Sequence, residues 1–152
     1  MAIPNGSSGA TSTSATESAD SKLPGDLQKS AKLWCKYDPG NGAHLQDGII
    51  TKYDLAYQGG PVTFETIDIS AGTARMTGSP GATGSLEGVL DVLASNTRAG
   101  LHFSAVNSRG ELMLTTVFGA VDKNGRHPSV MTTHGMHLFN GSYQIYGSCD
   151  AS

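Results

Sequence analysis

From residue 31 onward the chain is built of short apolar runs separated by turn residues. The first run, Leu33 to Tyr37, stops at Asp38-Pro39-Gly40-Asn41-Gly42, a dense turn signal. The second, Ile49 to Tyr57, alternates. Ile49, Thr51, Tyr53, Leu55 and Tyr57 share one face and Ile50, Lys52, Asp54 and Gln58 the other, the pattern of a half-buried strand. In the third, Val62 to Ile69, the phase changes: Val62 and Phe64 point one way, Ile67 and Ile69 the other. A bulge or bend near Glu65-Thr66 reconciles the two halves. Thr73 to Thr77 is a short fourth run, and the GSPGATG that follows reads as loop.

Leu86 to Leu93 fits both a helical face and strand parity. Gly88 inside it weakens a helix by about 1 kcal/mol relative to Ala, which favours strand. The clearest unit is next: LHFSAV (101–106) and ELMLTTVFG (111–119) flank NSRG and make a β-hairpin. In its second arm Leu112, Leu114, Thr116 and Phe118 share a face. VDKNGRHP reads as a polar turn, and Ser129 to His134 and Ser142 to Ser148 as the last strands. The pattern predicts an all-β fold of about eight to nine short strands in one small antiparallel barrel or sandwich. Closure is the economical choice, because an open sheet of this length leaves two exposed edges.

Residues 1–27 are different: Ser, Thr, Ala and Gly with almost no bulky apolar group. Ordering them costs entropy and buries nothing, so they read as a disordered tail ahead of a domain at 28–152.

Composition narrows the function classes. Charged residues make up 15% of the chain and the net charge is -3, which disfavours nucleic-acid binding. No run of about 18 apolar residues offers a membrane-spanning helix. The N-terminus lacks a basic start and an apolar stretch, so a cytoplasmic protein is expected. A secreted one is the alternative if Cys35 and Cys149 form a disulfide. In a closed barrel the first and last strands are neighbours, which would bring the two sulfurs close; two separate buried thiols are the other reading. Nucleotide-binding loops and hydrolase elbows are absent, and the histidine spacings give no metal pattern, so neither cofactor nor metal is expected.

The candidate chemistry lies in a few polar side chains. His102 stands between Leu101 and Phe103, and if those two face outward it points into a barrel lumen, with Thr116 on the other arm of the hairpin. As a general acid–base it would be assisted by Glu65, which flanks the bulge. Tyr57, Tyr143, Thr116 and His134 are the candidate ligand contacts, the tyrosines offering both a ring and a hydroxyl. Three functions follow. One is a barrel that binds an apolar or aromatic small molecule. Another is a cofactor-independent isomerase, cyclase or lyase using His102 and Glu65. The last is a protein-interaction module. The oligomeric state stays open, a homo-oligomer included.

Overall fold

The structure, a computed structural model, describes residues 25–56, 60–78, 89–107, 110–135 and 140–152. Among them a five-residue helix, α1 (Gly25–Lys29), precedes nine strands: β1 (Lys32–Gln46), β2 (Ile49–Leu55), β3 (Val62–Asp68), β4 (Thr73–Thr77), β5 (Val89–Asn96), β6 (Gly100–Val106), β7 (Leu112–Phe118), β8 (His127–His134) and β9 (Asn140–Ala151). β3 to β9 pair in sequence order, β3 pairs with β1, and β9 returns to β1. All of these pairings are antiparallel, and they close eight strands into an up-and-down barrel. β2 stands outside the ring, paired with the second half of β1 alone.

β1 does not end at the Asp38-Pro39-Gly40 signal. It continues to Gln46, and its pairing with β9 shifts register between Asp38 and Asn41. A Cβ on Gly40 would lie 1.8 Å from the carbonyl oxygen of Gln144. Glycine here lets two backbones press together at a bulge. The local turn chemistry is overridden because β9 pairs with β1 on either side of the shift and β2 pairs with its other edge from Gly40 onward. The second expected irregularity is present. Thr66 has φ 49° and the β3–β4 register shifts between Glu65 and Asp68. Val62 and Phe64 are buried before the bulge, and Ile67 and Ile69 pack against the core after it. The run ambiguous between helix and strand is β5 from Val89 onward; Leu86 to Gly88 lie outside the described residues. β2 has the expected parity but only Tyr53 and Leu55 are half-buried, with Ile49 and Ile50 exposed.

The interior is filled. Leu33, Phe64, Leu101, Val117, Met131 and Ile145, one from each of six strands, are buried at inward positions. Phe64 on β3 stacks on Phe103 on β6, with centroids 4.1 Å apart. The Tyr37 and Ser129 hydroxyls meet at 3.0 Å, joining β1 to β8. Neither pair belongs to neighbouring strands, so both contacts cross the interior. An eight-stranded barrel can hold either packed side chains or one small ligand. Along the described strands side chains occupy that space, and the lumen expected as a ligand chamber is a core.

Of the tail expected to run to residue 27, residues 1–24 lie outside the described residues, and its last residues, Gly25 to Leu27, belong to α1. Leu27 is 1% exposed and packs into the core beside the start of β1. Asp26 Oδ2 lies 2.8 Å from Nε2 of His127, whose Nδ1 faces the carbonyls of Phe118 and Ala120 at 3.0 and 3.2 Å. The hydrogen bond from His127 holds the Asp26 carboxyl below its ordinary pKa. Cys35 and Cys149 face each other across β1 and β9 and are joined by a disulfide spanning 114 residues. No helix among the described residues is long and apolar enough to cross a membrane.

Two stability predictions follow from the closure and the helix. In the chain-entropy model, a cross-link over a loop this long contributes about 4 to 5 kcal/mol. Cys35→Ser/Cys149→Ser should therefore unfold at much lower urea, and reductant should lower the wild-type midpoint but not that of the variant. Asp26→Ala leaves Nε2 of buried His127 without its carboxylate and should cost about 1 to 3 kcal/mol near neutral pH. The folded-state pKa of Asp26 is depressed below 3.8, so its contribution is present above that value and lost as pH falls beneath it. Denaturation curves of wild type and variant should converge there.

Candidate functional site

The hairpin expected to carry the site is formed as read, but its faces are reversed. Leu101 and Phe103 turn inward, so His102 lies on the outer surface of the barrel. Its ring is held between Thr97 Oγ1 at 2.7 Å and Thr116 Oγ1 at 3.1 Å. Thr116 is its direct cross-strand partner. The pairing of His102 with Thr116 is thus correct and its direction opposite to the expectation. On β7 the same choice puts Met113, Thr115 and Val117 inside and leaves Leu112, Leu114, Thr116 and Phe118 outside.

Glu65 is not near this pair. It is also on the outer surface, ion-paired at 2.9 Å with Lys32, its cross-strand neighbour. β4 and β5 separate its strand from β6. No acid–base couple of Glu65 and His102 is assembled. His134 is exposed at the end of β8, and Tyr143 is inward and 8% exposed, directly opposite Thr133 and Gly42. The Thr133 hydroxyl is buried with no hydrogen-bond partner among the described residues. Tyr57 lies outside the described residues. His127 and His134 occupy opposite ends of β8, and His137 lies outside the described residues.

What the register assembles instead is a belt on the outer surface. One row of cross-strand partners runs Leu93, Ser104, Leu114, Thr132, Gln144, Asn41 and Asp54 from β5 round to β2. The row beside it runs Val106, Leu112, His134, Ser142, Ala43 and Lys52. Twisted strands give a barrel a hyperboloid waist, and grooves form along it. Two such grooves divide the belt by polarity. Over β3 to β7, a groove of about 750 Å³ is bordered by Leu93, Val106 and Leu112, with Arg75, Asp91 and Asp68 at one side. Over β8, β9, β1 and β2, a groove of about 700 Å³ is bordered by Thr132, His134, Ser142, Gln144, Asn41, Lys52 and Asp54.

The apolar part is the unusual one. Leu93 is 68% exposed, Val106 60%, Leu114 41% and Leu112 39%. The register makes these four side chains contiguous, whereas isolated exposed aliphatics are ordinary on any surface. Sequence parity alone already grouped Leu112 with Leu114. Leu93 and Val106 join them only when β5, β6 and β7 are laid side by side.

No protein-family model matches this chain, and no curated protein or solved structure shows significant similarity to it. The class is therefore defined by the fold: a closed eight-stranded antiparallel barrel with an added edge strand, a packed interior, and its grooves on the outside.

The placement of His102 is directly testable. His102→Ala should change stability by no more than about 1 kcal/mol, as expected for a solvent-facing side chain. Phe103→Ala, one residue on, should cost about 3 to 5 kcal/mol for the cavity it leaves. Equal or inverted losses in urea unfolding would put His102 in the core.

Proposed function

We propose that this protein binds an apolar or aromatic small molecule on the outer belt of the barrel. The observation that carries this reading is the exposure of Leu93, Val106 and Leu112 along a groove of ligand size, with exposed Leu114 next to Leu112 on the same face of β7. A flat or aromatic body lying on these side chains would remove their remaining exposed surface from water, at roughly 25 cal/mol per Å² of apolar area covered. A polar end would reach His134, the cross-strand neighbour of Leu112, or pass between Arg75 and Asp91 at the other end. Those two polar exits favour a ligand with both donor and acceptor groups, because the groove border carries both signs of charge.

Binding is favoured over catalysis by the solvent-facing position of His102 and by its distance in the sheet from Glu65. An acid–base pair works by sharing one reacting atom in a site that excludes water, and these two side chains sit on strands three places apart. The Cys35–Cys149 disulfide favours an oxidising compartment over the cytoplasm, since thiol-reducing systems keep such pairs open inside cells. Recovery of Cys35 and Cys149 as free thiols from the native source would oppose that placement.

The neutral fluorophore N-phenyl-1-naphthylamine is a suitable probe of the groove. It should bind the full chain saturably, with emission shifted to the blue. Leu93→Ser and Leu112→Ser should each weaken the affinity roughly tenfold, the loss expected for removing one covered aliphatic. Binding that does not saturate, or that ignores both substitutions, would overturn the groove as a small-molecule site and return the apolar patch to a protein-interaction surface.

A further inference from the structure

β2 is the one described strand with a single neighbour, and its outer edge carries a charge pattern that is complementary to itself. The hairpin from β1 to β2 turns through Asp47 and Gly48, with φ of 50° and 79°, a two-residue turn of the primed type. Gln46 and Ile49 flank it as partners. In such a hairpin the flanking pair exchanges both backbone hydrogen bonds, and the bonding direction alternates from there. Ile49, Thr51, Tyr53 and Leu55 therefore direct their N–H and C=O groups to β1. Ile50, Lys52 and Asp54 direct theirs away from the barrel. All three have exposed side chains.

Edges of this kind recruit another strand unless something blocks them. Ile49–Leu55 holds no proline, and its outward-bonding residues Ile50, Lys52 and Asp54 are exposed; the charges of Lys52 and Asp54 repel an edge of like sign and admit one of matching pattern. Antiparallel pairing with a second copy must match residues whose backbone groups point outward. A two-fold axis at Lys52 would set Lys52 against Lys52 of the other copy and is disfavoured by like charge. An axis at Tyr53 sets Lys52 opposite Asp54 of the other copy and Asp54 opposite its Lys52. Both opposed pairs are then of opposite sign. The two Tyr53 residues meet at the axis on the other face of the sheet, where each ring lies back over Gly42 of its own β1.

We infer that the protein forms a two-fold dimer through β2 edges, centred on Tyr53 and registered by two Lys52–Asp54 pairs. The association has a consequence for the polar groove. Lys52 and Asp54 end its two rows. Across the axis the rows continue into Asp54 and Lys52 of the second copy, so the two grooves become one continuous polar channel. A ligand with polar groups along its length, such as an oligosaccharide, would then contact both copies.

The test is sedimentation equilibrium of the full chain under non-reducing conditions. A concentration-dependent dimer is expected. Lys52→Asp alone and Asp54→Lys alone should each weaken dimerisation roughly tenfold or more, because each makes both cross-strand pairs like-charged. The double swap should restore wild-type association. Lys52→Pro should also abolish the dimer while leaving the barrel folded by circular dichroism, because the N–H it removes points away from β1 and bonds nothing among the described residues. A wild-type protein that is monomeric at the highest attainable concentration overturns the proposal. So does a dimer indifferent to the single swaps, or a double swap that fails to restore it.

Discussion

The pairing of β1 with β9 is the constraint on which the remaining structure hangs. It is the seam that turns a linear meander into a ring, and it joins segments from opposite ends of the domain. Chain closure of that length is entropically costly, and the ladder must recover the cost over many residues. It does so over nearly all of β1, from Leu33 to Leu45, interrupted by one bulge. The disulfide sits within this seam, at the point where β1 also leans on β3. Backbone hydrogen bonds and a covalent link therefore restrain the same junction, and the barrel has no open edge except the one β2 supplies.

Closure also decides what the interior can be. Eight strands make a narrow ring, and many of the inward residues are large: phenylalanines that stack across it, methionines, leucines and two tyrosines. Once these meet, the polar groups displaced from the centre must go either to the seams between strands or outside. Tyr37 and Ser129 satisfy each other in the core, and His127 is satisfied by α1 and two carbonyls at the barrel end. His102, Glu65 and His134 go outside. The grooves are consequently exterior ones, shaped by the waist of the barrel and graded from apolar on β5 to β7 to polar on β8, β9, β1 and β2.

Much of the fold was legible in the order of residues. Strand parity located the hairpin of β6 and β7, the polar turn before β8, and the phase change in β3 that the Thr66 bulge produces. These are local signals, carried by alternation and by residues suited to a turn. The misreadings have one physical origin. Asp38-Pro39-Gly40 resembles a chain reversal, and only pairing with β9 on one side and β2 further along holds it extended. Asp26 and Leu27 resemble tail residues, and only the barrel end gives them a buried histidine and an apolar seat.

The candidate site was less legible for a related reason. Alternation shows that His102 and Leu101 occupy opposite faces, but both faces of β6 and β7 carry apolar residues, so parity cannot say which one is the inside. That choice is made collectively, by the side chains of eight strands competing for one small volume, and Leu101, Phe103 and Val117 fill it better than their neighbours. Likewise the belt of Leu93, Val106, Leu112 and Leu114 exists only across strands. The sequence by itself determined the strand content, the turns and the two-fold alternation along each strand, because these depend on neighbours a few residues apart. The tertiary structure alone decided which face became core, which histidine became buried, and which residues meet on the surface, because those outcomes depend on packing between segments that are distant in the chain.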